Sequence, residues 1–197
     1  ADRPPVVCDW LPWSHTFGSS HNFNLVLANG GSLYIDAGKP MPGLFDLTAA
    51  NLADVHPTIC FNVPAGYTRV VERLEADAGF AAAFFERLEL IFYAAAALPD
   101  DVWRRLEAAS VAATGRSVPM TSSWGLTETA PLLAGAPPFK TVLRSTGPAL
   151  EGVDLRIVDA DGNVLHEPGA EGEIQAKGPN VMLGYYRDEE RTADVFT

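Results

Sequence analysis

The first two-thirds of the chain alternates short apolar runs with longer segments in which apolar residues recur at helical spacing. In the clearest helical segment, which begins near Asp100, one face carries Val102, Trp103, Leu106 and Ala109. Strands that alternate with helices are typical of parallel βαβ units, in which helices cover both faces of the sheet. The pattern predicts strands at 6–10, 32–36, 58–63, 90–93 and 118–122, and helices at 16–28, 44–55, 67–76, 80–88 and 100–113.

The pattern changes after Gly147-Pro148. Residues 153–159 and 172–176 read as strands, and the segment Asp161-Gly162-Asn163 between them is a hairpin-type turn. We therefore expect an antiparallel β region to follow the α/β region. The predicted organisation is an α/β portion over residues 1–146 and a β-rich portion over residues 147–197.

Composition narrows the possible functions. The net charge of −11 argues against a nucleic-acid partner and requires any phosphate site to act locally, through backbone N–H groups, hydroxyls or a metal. No apolar run approaches the roughly 18 residues of a membrane span. Cys8 and Cys60 lie in apolar surroundings, which predicts buried free thiols and a cytoplasmic location. Because the sequence lacks an initiator Met and ends in a helix-like segment, we expect it to be an internal piece of a longer protein.

Two segments that follow predicted strands carry residues suited to a nucleotide. Residues 94–97 are alanines after the strand 90–93, and residues 122–128, Ser-Ser-Trp-Gly-Leu-Thr-Glu, follow the next strand. Ligands of open α/β sheets bind at the carboxyl ends of strands. Alanines would admit a flat ring, Trp124 could stack on a base, Thr127 could bond a phosphate oxygen, and Glu128 could hold Mg²⁺. Two structural alternatives remain open, a packed strand-to-helix turn for the alanines and a local cap pair for Thr127 and Glu128.

His15 lies between a predicted strand and a predicted helix. Ser14 or Thr16 could cap that helix, and a helix N-terminus favours an anion, so His15 could face a carboxylate. The alternative is a polar side chain satisfied at the helix start. The other histidines have no partner in sequence, and we expect them to be structural or exposed: His21, His56 and His166.

Four motifs, in order along the chain, resemble those of the adenylate-forming (AMP-binding) superfamily of acyl- and aryl-CoA synthetases, luciferases and adenylation domains. The stretch 12–18 resembles the segment with the acyl-pocket histidine, and 93–99 resembles the Ser-Gly-Gly-Ala-Pro-Leu adenine segment. Residues 124–128 resemble Tyr-Gly-x-Thr-Glu, and 172–186 resemble Gly-Glu-Leu…Val-Met-x-Gly-Tyr. Ala97 replaces the usual proline and Trp124 the usual tyrosine. Within the family, the sequences of the segments 12–18 and 93–99 are most similar to those of feruloyl-CoA synthetases.

The resemblance implies a part of the large N-terminal domain of an enzyme that joins a carboxylic acid to coenzyme A, using ATP and Mg²⁺ and forming an acyl-adenylate first. It implies that Glu128 holds Mg²⁺, that Thr127 bonds the α-phosphate and that His15 contacts the acyl carboxylate. The residues expected to bind the nucleotide are Ala95, Ala96, Ala97, Ser122, Ser123, Trp124, Gly125 and Thr127. Strand-end placement adds Asn62, Val63, Ala65 and Gly125 as walls of the acid pocket.

The expected substrate is a small carboxylic acid, preferably aromatic and ferulate-like, and a homo-oligomer is possible. The family's phosphate loop, ribose-binding aspartate, hinge and lysine-bearing C-terminal domain lie outside this sequence, so we expect the chain alone to be inactive. Three alternatives stay open: an adenylation domain or luciferase-like member of the same family, a non-enzymatic adenylate-binding or scaffold protein, and an unrelated α/β domain.

Overall fold

A computed structural model describes residues 3–137 and 145–196. The parallel strands of its α/β portion are β1 (Val6–Asp9), β2 (Ser32–Ile35), β3 (Ile59–Asn62), β4 (Leu90–Tyr93) and β5 (Met120–Trp124). Strand β1 pairs in parallel with β2, while β3, β4 and β5 pair in parallel in that order. The two groups are adjacent, because the Thr58 N–H donates to the Val6 carbonyl at 2.9 Å. The predicted parallel α/β architecture is therefore confirmed.

Helices connect the strands. The predicted helix over 16–28 begins as a π-helical segment (Phe17–Phe23) and continues as α1 (Asn24–Ala28). The other helices of this portion are α2 (Phe45–Val55), α3 (Pro64–Ala76), α4 (Ala78–Phe85) and α5 (Asp100–Thr114). The wide π turn is visible in the hydrogen bond from the His21 N–H to the Thr16 carbonyl, five residues back, at 2.9 Å.

Local sequence explains how α3 and α5 begin and end. Pro64 opens α3, where its fixed φ fits a helix and its missing N–H costs nothing. Gly115 ends α5 with a φ of +74°, a left-handed conformation that a glycine adopts without steric cost. Tyr67 of α3 is fully buried, and its hydroxyl lies 2.7 Å from the Cys60 carbonyl and 2.9 Å from the Phe92 carbonyl. Helix α3 is thereby tied to both β3 and β4.

Apolar side chains cover both faces of the sheet. The larger cluster joins α2–α5 to the sheet and includes Leu52, Val70, Phe84, Ile91 and Leu106. The smaller cluster lies beside the π-helical segment and consists of Val7, Leu11, Phe17, Val26 and Phe61, with Phe92 packed against it. Burial on two faces is what a parallel sheet requires. Within the described residues, no helix has the length and apolar character needed to cross a bilayer.

The antiparallel region differs in connectivity from the prediction. Strand β6 (Ala134–Gly135) pairs antiparallel with β5, and β7 (Asp154–Val158), β8 (Val164–Leu165) and β9 (Glu173–Lys177) form a separate sheet in the order β8-β7-β9. The two predicted strands pair antiparallel as β7 and β9, but the turn at 161–163 joins β7 to the short β8, a strand that the sequence did not predict between them. Asp159 closes that turn by accepting from the Asp161 and Asn163 N–H groups. A short helix, α6 (Glu189–Val195), follows.

Candidate active site

The segments that follow β1, β4 and β5 open into one cleft of about 1130 Å³. Its position at the carboxyl ends of parallel strands is where open α/β sheets bind ligands, and its volume suffices for a nucleotide and a small acid together. Its walls are formed by His15, Thr16, Phe17, His21, residues 93–100, residues 122–128, Pro131, Leu132, Ser145 and Thr146.

One wall is the alanine turn, residues 94–97. Ala95, Ala96 and Ala97 are exposed in the cleft wall, whereas Leu98, in the same wall, is buried. Ala95 has a φ of +76°, a left-handed conformation that costs a residue with a Cβ roughly 1–2 kcal/mol. The turn therefore presents small side chains and backbone to any flat group in the cleft, as the sequence predicts.

The facing wall is the tryptophan loop, residues 122–128. Gly125 is required there, because a Cβ at that position would collide with the Pro131 carbonyl oxygen. The loop is closed by Thr129, whose Oγ1 accepts from the Leu126 N–H at 2.9 Å. The local cap considered for Thr127 and Glu128 is thus made by Thr129 instead, and Thr127 is exposed on the cleft wall.

Glu128 is held by the chain that follows β9. Its Oε1 accepts a hydrogen bond from the Tyr185 hydroxyl at 2.6 Å, and its backbone carbonyl accepts from the Met182 N–H at 2.8 Å. The Arg191 guanidinium lies over the Tyr185 ring at 4.1 Å. The Tyr185 hydrogen bond is the main reason that the pKa of Glu128 is lowered. A carboxylate of this kind, ionised and half-buried, is a suitable metal ligand.

The residues present fit Mg²⁺ only in part. Mg²⁺ commonly takes one or two carboxylates and completes its shell with substrate phosphates and water. Glu128 can supply Oε2, since Oε1 is engaged by Tyr185. Across residues 3–137 and 145–196, no three His, Cys, Asp or Glu side chains gather as a metal site. Glu128 would therefore act as a single protein ligand beside a bound nucleotide.

His15 lies in the cleft wall before the π-helical segment. Its Nδ1 accepts the Phe17 N–H at 3.1 Å, so His15 itself provides the cap that the sequence assigns to Ser14 or Thr16. A neutral imidazole with an accepting Nδ1 carries its hydrogen on Nε2. His15 thus has an N–H that no side chain of the described residues accepts, and it lies in the cleft wall.

His21 also lines the cleft, although the sequence gives it no partner. Its Nδ1 is 2.7 Å from Asn22 Oδ1, and its ring stacks on Phe92 with centroids 5.0 Å apart. Burial lowers the pKa of His21, so the ring is neutral at pH 7. The sequence predicts a structural or exposed His21 and does not place it in the cleft. The reason is the π turn, which moves the residue to a face of the helix that a regular helical period does not indicate.

Three predicted pocket residues do not contribute to the cleft wall: Asn62, Val63 and Ala65. Asn62 is buried, and its Oδ1 accepts from Trp10 Nε1 at 3.2 Å and from the Val63 N–H at 2.9 Å. These bonds hold the side chain at the end of β3 away from the cleft. Of the pocket walls expected from strand ends, the structure places Gly125 in the cleft.

The sequence profile of the family described as "AMP-binding enzyme" matches residues 2–186. The chain belongs to this family. Among relatives of the AMP-binding enzyme family, the chain is 28% identical to an indoleacetate–CoA ligase of Aromatoleum aromaticum over 187 residues, which cover 94% of the chain and 34% of that protein. It is 30% identical to a long-chain-fatty-acid–CoA ligase of Yersinia pestis over 192 residues, covering 96% of the chain and 32% of the relative.

Solved structures of CoA ligases share the fold of this chain. A malonyl-CoA ligase in a ternary product complex with methylmalonyl-CoA and AMP is 30% identical, with a TM-score of 0.74, 98% of this chain covered and 39% of the other. A benzoate CoA ligase from Burkholderia xenovorans is 20% identical with a TM-score of 0.80, covering 96% of this chain and 36% of that one, which shows the fold alone. The chain spans about a third of the length of the two ligases from Aromatoleum and Yersinia.

Proposed function

We propose that this chain forms the adenine-binding and acid-binding walls of an ATP-dependent carboxylate–CoA ligase. The observation that carries the proposal is the single cleft in which the alanine turn and the tryptophan loop meet, with Glu128 in the same wall. In the proposed reaction, the acid first displaces pyrophosphate to give an acyl-adenylate, and the thiol of coenzyme A then displaces AMP.

The nucleotide is proposed to lie between the two walls. Ala95, Ala96 and Ala97 would face one side of adenine, and Ser122, Ser123, Trp124 and Gly125 would frame the other. The Thr127 hydroxyl, exposed on the cleft wall, would bond the α-phosphate. When bound at Glu128, Mg²⁺ would neutralise phosphate charge during the transfer. The net charge of −11 gives no long-range attraction for ATP, so these local groups would carry recognition.

The acid is proposed to bind with its carboxylate at His15. The hydrogen on Nε2 would bond a carboxylate oxygen, while the Phe17 N–H holds Nδ1 and fixes the ring. Phe17 and His21 line the same cleft as His15 and pack on Phe61 and Phe92, with ring centroids 5.0–6.3 Å apart, which gives this part of the wall an aromatic backing suited to an aryl group. Relatives include an anthranilate–CoA ligase of Pseudomonas aeruginosa. An aromatic, ferulate-like acid is therefore the proposed substrate.

The chain is proposed to be part of one large domain, with an α/β portion over 1–146 and a β-rich portion over 147–197. Hydrogen bonds cross this boundary from Gly135 N–H to Pro148 O at 3.1 Å and from Leu150 N–H to Leu133 O at 2.9 Å. Both cysteines are free, and burial raises the pKa of each thiol to about 12, as befits a proposed cytoplasmic protein. A homo-oligomer is compatible with the proposal.

The test is ATP–pyrophosphate exchange with ferulate, performed on the full-length protein that contains this sequence and on the 197-residue chain alone. We expect exchange in the former and none in the latter. Glu128→Gln should lower the exchange rate of the full-length protein by about a hundredfold, since it removes a charge that acts on the phosphates. Glu167→Gln, at an exposed loop position, is the matched control and should leave the rate unchanged. Equal rates for E128Q and the parent protein would contradict the proposal.

A further inference from the structure

His21 belongs to a buried polar network that begins at the end of β1. Asp9 and Asn22 are both buried, with exposed fractions of 6% and 0%. Asp9 Oδ1 accepts from the Leu11 N–H at 2.8 Å, and Asp9 Oδ2 accepts from Asn22 Nδ2 at 2.7 Å. Asn22 Oδ1 then lies 2.7 Å from His21 Nδ1. We call these residues the Asp9–Asn22–His21 network.

The network determines which ring nitrogen of His21 carries hydrogen. An ionised carboxylate only accepts hydrogen bonds, so Asn22 must present its NH₂ group to Asp9. Asn22 therefore presents its carbonyl oxygen to His21, and His21 Nδ1 must be the donor. In the neutral ring, this leaves Nε2 with a free lone pair. No residue within the described ranges donates a hydrogen bond to it.

His15 and His21 thus offer opposite groups to the same cleft. His15 accepts at Nδ1 and presents an N–H at Nε2, whereas His21 donates at Nδ1 and presents an acceptor at Nε2. The His21 ring lies among aromatic rings, with its centroid 5.4 Å from that of Phe61 and 5.0 Å from that of Phe92. A ligand that fills the cleft beside this ring without offering a donor would shield Nε2 from water and leave it unpaired, which is costly.

We propose that His21 is a specificity-determining residue, which accepts a hydrogen bond from a hydroxyl or amine N–H on the aryl part of the acid. This assignment rests on the proposed function, in which the same acid is bound through its carboxylate at His15. Asp9 and Asn22 do not contact the acid. They act through His21 by fixing its tautomer. The substrate class is an aromatic acid with a hydrogen-bond donor on or beside the ring, as opposed to its methyl ether.

The first experiment reads the tautomer directly. Imidazole nitrogen NMR on the full-length protein at a pH near 8, above the Asp9 pKa of about 6, should show the hydrogen of His21 on Nδ1. In D9N the hydrogen of His21 should instead be on Nε2. The amide introduced there must keep its oxygen on the Leu11 N–H, so its NH₂ turns toward Asn22, Asn22 flips, and His21 Nδ1 becomes the acceptor. D161N, at an exposed turn, is the control and should leave the tautomer unchanged. A hydrogen on Nε2 of His21 in the parent protein overturns the assignment.

The second experiment measures specificity in the full-length protein. Adenylate formation is compared for ortho-, meta- and para-hydroxycinnamate, each with its methyl ether. The parent protein should prefer one hydroxy acid over its ether by about tenfold or more in kcat/KM, and D9N should reduce or invert that ratio. H21F keeps an aromatic ring in the cluster but removes the acceptor, so the ratio of kcat/KM between each hydroxy acid and its methyl ether should fall to about one.

The outcomes separate the two proposals. Activity without any preference for a hydroxy acid over its ether overturns the role of His21 and leaves the ligase assignment standing. Failure to form an adenylate from any acid overturns the ligase assignment and this inference with it. If H21F does not fold, the D9N ratio and the NMR result still decide the question, because D9N keeps both hydrogen bonds at that position.

Discussion

Tyr185 donates a hydrogen bond to Glu128 across 2.6 Å, which joins the tryptophan loop to a residue 57 positions later in the chain. The Arg191 guanidinium packs against the Tyr185 ring, 4.1 Å from its centre. Glu128 is the proposed metal ligand, so the chain after β9 holds the carboxylate on which the proposed reaction would depend. Residues that orient a metal ligand in this way commonly affect metal affinity nearly as strongly as the ligand itself.

Removing the Tyr185 hydroxyl should weaken Mg²⁺ binding. In Tyr185→Phe the pKa of Glu128 should rise toward its ordinary value of 4.5, because the hydrogen bond that lowers it is lost. We expect the Mg²⁺ concentration for half-maximal adenylate formation in the full-length protein to increase by about tenfold. Tyr186→Phe is the matched control, since that side chain is 86% exposed. A similar increase in both variants would assign no special role to Tyr185.

A methyl group at position 125 should disrupt the tryptophan loop. The Cβ introduced by Gly125→Ala would collide with the Pro131 carbonyl, a backbone atom that cannot move aside as a flexible side chain can. The expected cost is about 3 kcal/mol in the free energy of unfolding, measured by urea denaturation. Gly135→Ala provides the comparison, because its nearest neighbour would lie 3.9 Å away. Equal stability of the two variants would show that the loop is not confined as described.

Neighbouring positions of the alanine turn should respond oppositely to glycine. Ala95 has a φ of +76°, so Ala95→Gly relieves a strained backbone and should stabilise the protein by up to about 1 kcal/mol. Ala96 is not among the residues of positive φ, and Ala96→Gly should destabilise by about 0.5–1 kcal/mol through added freedom in the unfolded state. Thermal unfolding of both variants tests the difference, and a change of the same sign in both would be inconsistent with the turn conformation.

Asp9 should make stability depend on pH. Burial raises its pKa from 3.8 to about 6, so the folded state binds this proton more tightly than the unfolded state. Its contribution to stability is therefore full below 3.8 and is lost as the pH rises through about 6. Relative to Asp9→Asn, the parent protein should lose about 3 kcal/mol across this window. Urea unfolding at a series of pH values measures the change, and Asp161→Asn, at an exposed position, is the control for the substitution itself. A difference independent of pH would exclude the raised pKa.

The sequence predicts the parts of this molecule that depend on local pattern. Periodic apolar residues indicate the helices and strands of the α/β portion, and the carboxyl ends of β4 and β5 must adjoin because those strands pair in parallel. The alanine turn and the tryptophan loop could therefore be placed together in advance.

What the sequence did not reveal depends on longer-range or irregular geometry. The π-helical segment that brings His21 to the cleft has no recognised apolar period, and β8, with two residues, is too short to produce a pattern. The Glu128–Tyr185 contact joins residues far apart in the chain. Asn62 lies at the end of a strand, as the cleft residues do, but its side chain accepts a hydrogen bond from Trp10. The position of a residue at a strand end does not reveal such a contact.

Asn180 holds the tryptophan loop in place although it is translated well after that loop. Its Nδ2 donates to the Thr129 carbonyl at 2.8 Å and to the Leu132 carbonyl at 2.5 Å, just below the residues that face the cleft. On the ribosome, the parallel sheet and the alanine turn are made before Asn180, which is translated about 50 residues after the carbonyls that it bonds. A nascent chain that stops before Asn180 would contain the parallel sheet without the side chain that holds the tryptophan loop, so this loop would be completed only after β9 is made.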